Sequence, residues 1–109
     1  MAGEYCLAYV TAEDREEAGM LAETIVGERL AACANILGTI TSVYHWEGEV
    51  EQGQEVALLF KTRRDLLEAL TARVRELHSY DCPCVVALPV EGGNAAFLQW
   101  ISDETAKAQ

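Results

Sequence analysis

Positive charge is scarce in this sequence. Eight lysines and arginines stand against eighteen aspartates and glutamates, a formal net charge of −10 over 109 residues. That balance disfavours nucleic-acid binding, because affinity for phosphates comes from basic side chains displacing counterions. Long apolar runs are also missing. Nowhere do about 18 apolar residues follow one another, the length that crosses a bilayer, so no membrane partner is expected. The opening MAGEYCLAYV has neither the basic stretch nor the long apolar segment of a secretory leader. A cytoplasmic location is therefore expected. Thiols stay reduced there, and the four cysteines read as free thiols rather than two disulfides.

Catalytic signatures are absent as well. There is no Walker A sequence, no GxGxxG, no HExxH and no serine elbow. No nucleophile stands beside a base, so no enzymatic activity is expected. What remains is ordinary globular composition, 50% apolar and 24% charged, in a length that suits one domain over residues 1–109.

The apolar pattern gives the element order. YCLAYVT (5–11) reads as a strand. Thr11 and Asp14 have capping-box-like spacing, Glu16 and Glu17 suit a first turn, and Ala18, Leu21, Ala22, Ile25, Val26 and Leu30 recur at helical spacing. A helix over roughly 14–31 follows. ANILGTITSVYHW (34–46) is β-branched and aromatic, with Gly38 marking a bulge or bend. EGEVEQGQE (47–55) reads as a hairpin tip and VALLFKT (56–62) as the returning strand. Leu66, Leu67, Leu70, Val74 and Leu77 mark a second amphipathic helix. CPCVVALPV (82–90) reads as an edge strand, since Pro83 and Pro89 cannot donate to a ladder. Asn94 suits the N-cap of a short last helix through Phe97, Leu98, Trp100 and Ile101.

The result is an α+β fold with an antiparallel sheet. Its order, β-α-β-β-α-β plus a C-terminal helix, is that of a ferredoxin-like split β-α-β sandwich. Both faces of its strands are apolar: Val56, Leu58 and Phe60 point one way, Ala57 and Leu59 the other. The terminal helix or another subunit must cover the second face, and an oligomer is expected.

The densest chemistry lies in HSYDCPC (78–84). His78, Cys82 and Cys84 form a set of donors that suits Cu(I) or Zn(II). In a regular strand both cysteines share a face with Val86, Leu88 and Val90. Cysteines packed in the core are the simpler reading, and reversible oxidation is a further alternative. The CxC spacing is not the CxxC of zinc knuckles. His78 also suits a helix C-terminal cap. Cys6 and Cys33 read as buried, and His45 as a half-exposed strand residue. Glu47, Glu49, Glu51 and Glu55 resemble a cation patch but lack a calcium-loop pattern, so a solvated hairpin is the simpler reading. Lys61, on an apolar face, wants a carboxylate or an anion as partner.

Five stretches in register resemble the CutA family of divalent-cation tolerance proteins: ERLAACANI (28–36), SVYHWEGEVE (42–51), EVALLFKT (55–62), RVRELHSYDCPCVVALPV (73–90) and GNAAFLQWI (93–101). The resemblance implies a homotrimer built through sheet edges and the long hairpin. It also implies copper or another divalent cation as the bound ion, with none required for folding. Architectural similarity to trimeric PII proteins implies an alternative, a small anionic ligand held in an intersubunit cleft. On this likeness Cys33 matches the family's recurrent cysteine and joins the metal candidates. Tyr44, Trp46, Lys61, Tyr80 and Trp100, with His78, match positions expected to line the cleft. The family pattern HPYEVPE is altered here at Ser79, Cys82 and Cys84, so the CPC pair departs from the shared chemistry.

Overall fold

The computed structural model describes residues 4–106. Strand β1 (Tyr5–Ala12) leads into helix α1 (Arg15–Gly27), and two long strands follow, β2 (Cys33–Trp46) and β3 (Glu49–Arg63). A single 3-10 turn (Arg64–Leu66) opens helix α2 (Leu67–Leu77). Strand β4 (Val85–Pro89) and helix α3 (Ala95–Asp103) complete the chain. The sheet runs β2-β3-β1-β4 with every pair antiparallel. This is the α+β, four-stranded antiparallel arrangement expected, with three helices.

Helix α1 is shorter than its apolar spacing suggested. It starts at Asp14, whose carboxylate accepts the amide of Glu17 at 2.9 Å, while Glu17 accepts the amide of Glu13 at 2.8 Å. Thr11 takes no part in that cap, because it is still in β1. The helix stops at Gly27 although Leu30 continues the apolar spacing. Arg29 takes a left-handed φ of 63°, and Leu30 N donates back to Ile25 O at 3.1 Å, a Schellman-type end.

Alternation in the sheet divides the molecule. Ala8, Val10, Ala12, Val56, Leu58 and Phe60 face the helices and pack with Ala18, Leu21 and Ile25 of α1 and Leu70 and Val74 of α2. The opposite face carries Leu7, Tyr9, Leu59 and Lys61 from the centre of the sheet and Val86 and Leu88 from β4. Helix α3 covers one end of it. Ile101 is buried there, Tyr5 Oη lies 2.6 Å from Ser102 Oγ, and Arg63 Nη1 donates to Thr105 Oγ1 at 3.2 Å. Val86 and Leu88 remain exposed at 53% and 47%.

The hairpin departs from the expected segmentation. The turn is only Glu47 and Gly48, between the Trp46–Glu49 pair, and both residues have positive φ, 51° and 84°. That is the geometry of a type I′ turn, whose twist matches the strands it joins. Residues 49–55, expected as loop, are strand. Because β1 pairs with β3 only as far as Val56, the rest of β2 and β3 projects as an arm, and the molecule measures 44 × 25 × 24 Å. Gly38 does mark a bulge: Ile36 pairs with Leu58 and Gly38 with Ala57, leaving Leu37 extra.

The expected edge strand at 82–90 is also shorter. Only Val85–Pro89 pairs, against β1 alone, and Cys82 and Cys84 precede it in irregular chain. Pro89 closes the strand, where a missing N–H costs least.

Candidate functional site

Beside the root of the hairpin arm lies an open cleft of about 680 Å³. One wall is the hairpin, with Ser42, Tyr44 and Trp46 from β2 and Glu51, Gly53 and Glu55 from β3. The other is the loop between α2 and β4, with Tyr80, Asp81, Cys82 and Cys84, and Thr11 of β1 joins them. The hairpin residues alternate along their strands and so share one face. Gly53 leaves room for Tyr44, whose Oη would lie 3.4 Å from a side-chain carbon at that position.

His78 and Tyr80 fix the loop. His78 is buried at the C-terminal end of α2. Its Nε2–H donates to the Thr11 carbonyl at 2.7 Å, and Nδ1 accepts the Tyr80 amide at 3.0 Å. These partners define the tautomer. Both ring nitrogens are thereby committed, which leaves no lone pair for an ion in this arrangement. Glu17 reaches across from α1, accepting the Ser79 amide at 2.7 Å, with Oε2 3.8 Å from His78 Nδ1. Tyr80 Oη donates to Glu55 Oε2 at 3.0 Å, and Ser42 Oγ donates to Glu55 Oε1 at 2.6 Å. Thus a chain of hydrogen bonds ties both walls to the sheet. Burial, with the Glu55 carboxylate close by, pushes the Tyr80 phenol up to about 12. It remains a donor across the working pH range.

The thiols differ among themselves. All four cysteines are free. Cys6 is buried in β1, and burial pushes its thiol up against the weaker pull of Arg64. Cys33 is half-buried as the first residue of β2, paired in register with Lys61. Cys82 is exposed and Cys84 half-buried in the cleft wall. Burial and then the charge of Glu55 raise the Cys84 pKa, and a hydrogen bond with the Thr11 side chain opposes them.

The sequence-level candidates therefore separate into three places. Tyr44, Trp46, Tyr80, Cys82 and Cys84 line the cleft. His78 lies behind it and holds the loop. Cys33, Lys61 and Trp100 lie elsewhere: Lys61 is six positions beyond Glu55 along β3, about 20 Å at ~3.3 Å per residue. Its ammonium sits 5.4 Å from the Phe97 ring centroid, in α3, a cation–π contact rather than an ion pair. Sequence reasoning passed over Thr11, Ser42 and Asp81, and it left Glu51 and Glu55 to solvent. The signal for the last two was alternation: 49, 51, 53 and 55 share a face once the segment is strand.

The match to known proteins extends along almost the whole chain. Residues 6–104 fit the family model of the CutA1 divalent ion tolerance protein. The chain belongs to that family. A rice relative, the chloroplastic protein CutA 1, is 46% identical over 102 residues, covering 94% of this chain and 58% of its own length. The divalent-cation tolerance protein CutA of Thermus thermophilus is 44% identical over 96 residues, 88% of this chain and 93% of that one. The crystal structure of CutA1 from rice superimposes with a TM-score of 0.95 at 44% identity, covering 98% of each chain. The chain thus spans little more than half of the rice relative's full length but nearly all of the bacterial one.

Among the described residues no three His, Cys, Asp or Glu side chains gather closely enough to hold a metal.

Proposed function

We propose that this CutA1 family member binds metal ions at the cleft and contributes to metal tolerance, acting as a homotrimer in the reducing cytoplasm. One observation carries the reading. Glu51, Glu55, Asp81, Cys82 and Cys84 line the cleft, and the described residues around it include no lysine or arginine. Carboxylates and thiols attract cations, and the net charge of −10 adds a field of the same sign. The exposed Val43, Trp46 and Val50 of the arm and Val86 and Leu88 of β4 support association of subunits, and a neighbouring subunit would bring further donors to the cleft.

The alternative, a small anion held as in PII proteins, rests on Lys61. That residue lies about 20 Å away along β3, against Phe97, so the anion reading has less support.

Calorimetric titration with Zn(II) and Cu(II) tests the proposal. The wild type is expected to bind a whole number of ions per trimer, and Glu51→Gln/Asp81→Asn to lose at least ~10-fold in affinity. Lys61→Ala is expected to bind as the wild type does. Equal affinity in all three proteins would place divalent binding outside the cleft.

A further inference from the structure

The shortage of donors itself discriminates between ions. Zinc takes four ligands, and calcium and magnesium take six or more. Among the described residues one chain offers no group of three. It does offer two thiols, Cys82 and Cys84, separated only by Pro83 and both in the cleft wall. Soft monovalent d10 ions favour sulfur and are satisfied by two thiolates in line.

We propose that Cys82 and Cys84 form a two-sulfur site, within a single chain, for a monovalent thiophilic ion of the Cu(I) or Ag(I) class. The proposal rests on the cation-binding reading of the cleft and narrows the ion that this chain's own residues select. Binding exchanges two thiol protons for one ion, and the product is a bis-thiolate complex of charge −1 with no change of oxidation state. Exposed Cys82 is the point of entry, and half-buried Cys84 shields the bound ion. Tyr80, anchored through His78 and Glu55, holds the loop that presents both sulfurs.

The test is an anaerobic titration of the reduced full chain with Cu(I), and separately Ag(I), against a chromogenic chelator of known affinity. Cys82→Ser, Cys84→Ser and Lys61→Ala are run beside it, together with Zn(II) and Cu(II) titrations of each protein. One monovalent ion per chain is expected. Its affinity should fall in either serine variant by more than the ~10–100-fold that a supporting neighbour supplies, and stay as in the wild type in Lys61→Ala, since Lys61 lies outside the cleft. X-ray absorption on the copper-loaded wild type, which needs no variant, should count two sulfur neighbours. Three sulfurs, fewer than one ion per chain, or a serine variant that binds as the wild type does would each overturn the proposal. The divalent titrations keep the two ideas apart. A wild type that binds neither Zn(II) nor Cu(II) defeats the reading of the carboxylate wall, while the two-sulfur site stands or falls on the monovalent ions alone.

Discussion

At the scale of single residues, His78 and Glu17 matter more for shape than for ligand chemistry. Removing the imidazole strands two partners, the buried Thr11 carbonyl and the half-buried Tyr80 amide. Each unpaired group costs about 1–3 kcal/mol. His78→Ala is therefore expected to lose about 2–4 kcal/mol in urea unfolding. Glu17 sets an acid limit. Burial alone would raise its carboxyl, but the Glu13 amide and Ser79 together hold it below the usual range. A depressed carboxyl contributes stability that is present above its unfolded value of 4.5 and lost as pH falls through the lower folded value. The stability gap between wild type and Glu17→Gln should thus shrink as pH falls from about 6 to about 3. A gap that stays constant in chemical unfolding over that window would contradict the assignment.

At the scale of elements, the arm and α1 carry the clearest consequences. Glu47 occupies the first position of a type I′ turn with φ 51°, a conformation that asparagine adopts at lower cost. Glu47→Asn should raise stability by about 0.5–1 kcal/mol, read as a higher melting temperature. Gly19 lies inside α1, and a side-chain carbon there would meet nothing within 4 Å. Gly19→Ala is expected to add a similar ~0.5–1 kcal/mol. The order of these elements was legible because each carries its own period, and the caps at Asp14 and Asn94 because their acceptors sit beside the apolar runs. The hairpin tip was misplaced because charge and two glycines outweighed the alternation of Val50, Gln52 and Gln54 with Glu49, Glu51 and Glu55. The cleft was legible only through the family likeness, which pointed to Tyr44, Trp46 and Tyr80, and not from the residues' own pattern. It depends on Tyr80 meeting Glu55 and Glu17 meeting Ser79, contacts between segments that no local pattern links.

At the scale of the whole molecule, one face of the sheet is closed by helices and the other is only partly covered. The helix-facing core is apolar, so chelator treatment should leave the melting temperature of the reduced protein unchanged. The opposite face is incomplete in one chain, with Val86 and Leu88 exposed beside β1. Light scattering should therefore report a species of three times 11.9 kDa, and Leu88→Glu should shift it towards the monomer. Anomalous diffraction from zinc-soaked crystals tests ion binding at the cleft. An anomalous peak is expected between the Glu51 and Asp81 walls, with donors from more than one subunit. Peaks confined to other surfaces, with the cleft empty at saturating zinc, would contradict it.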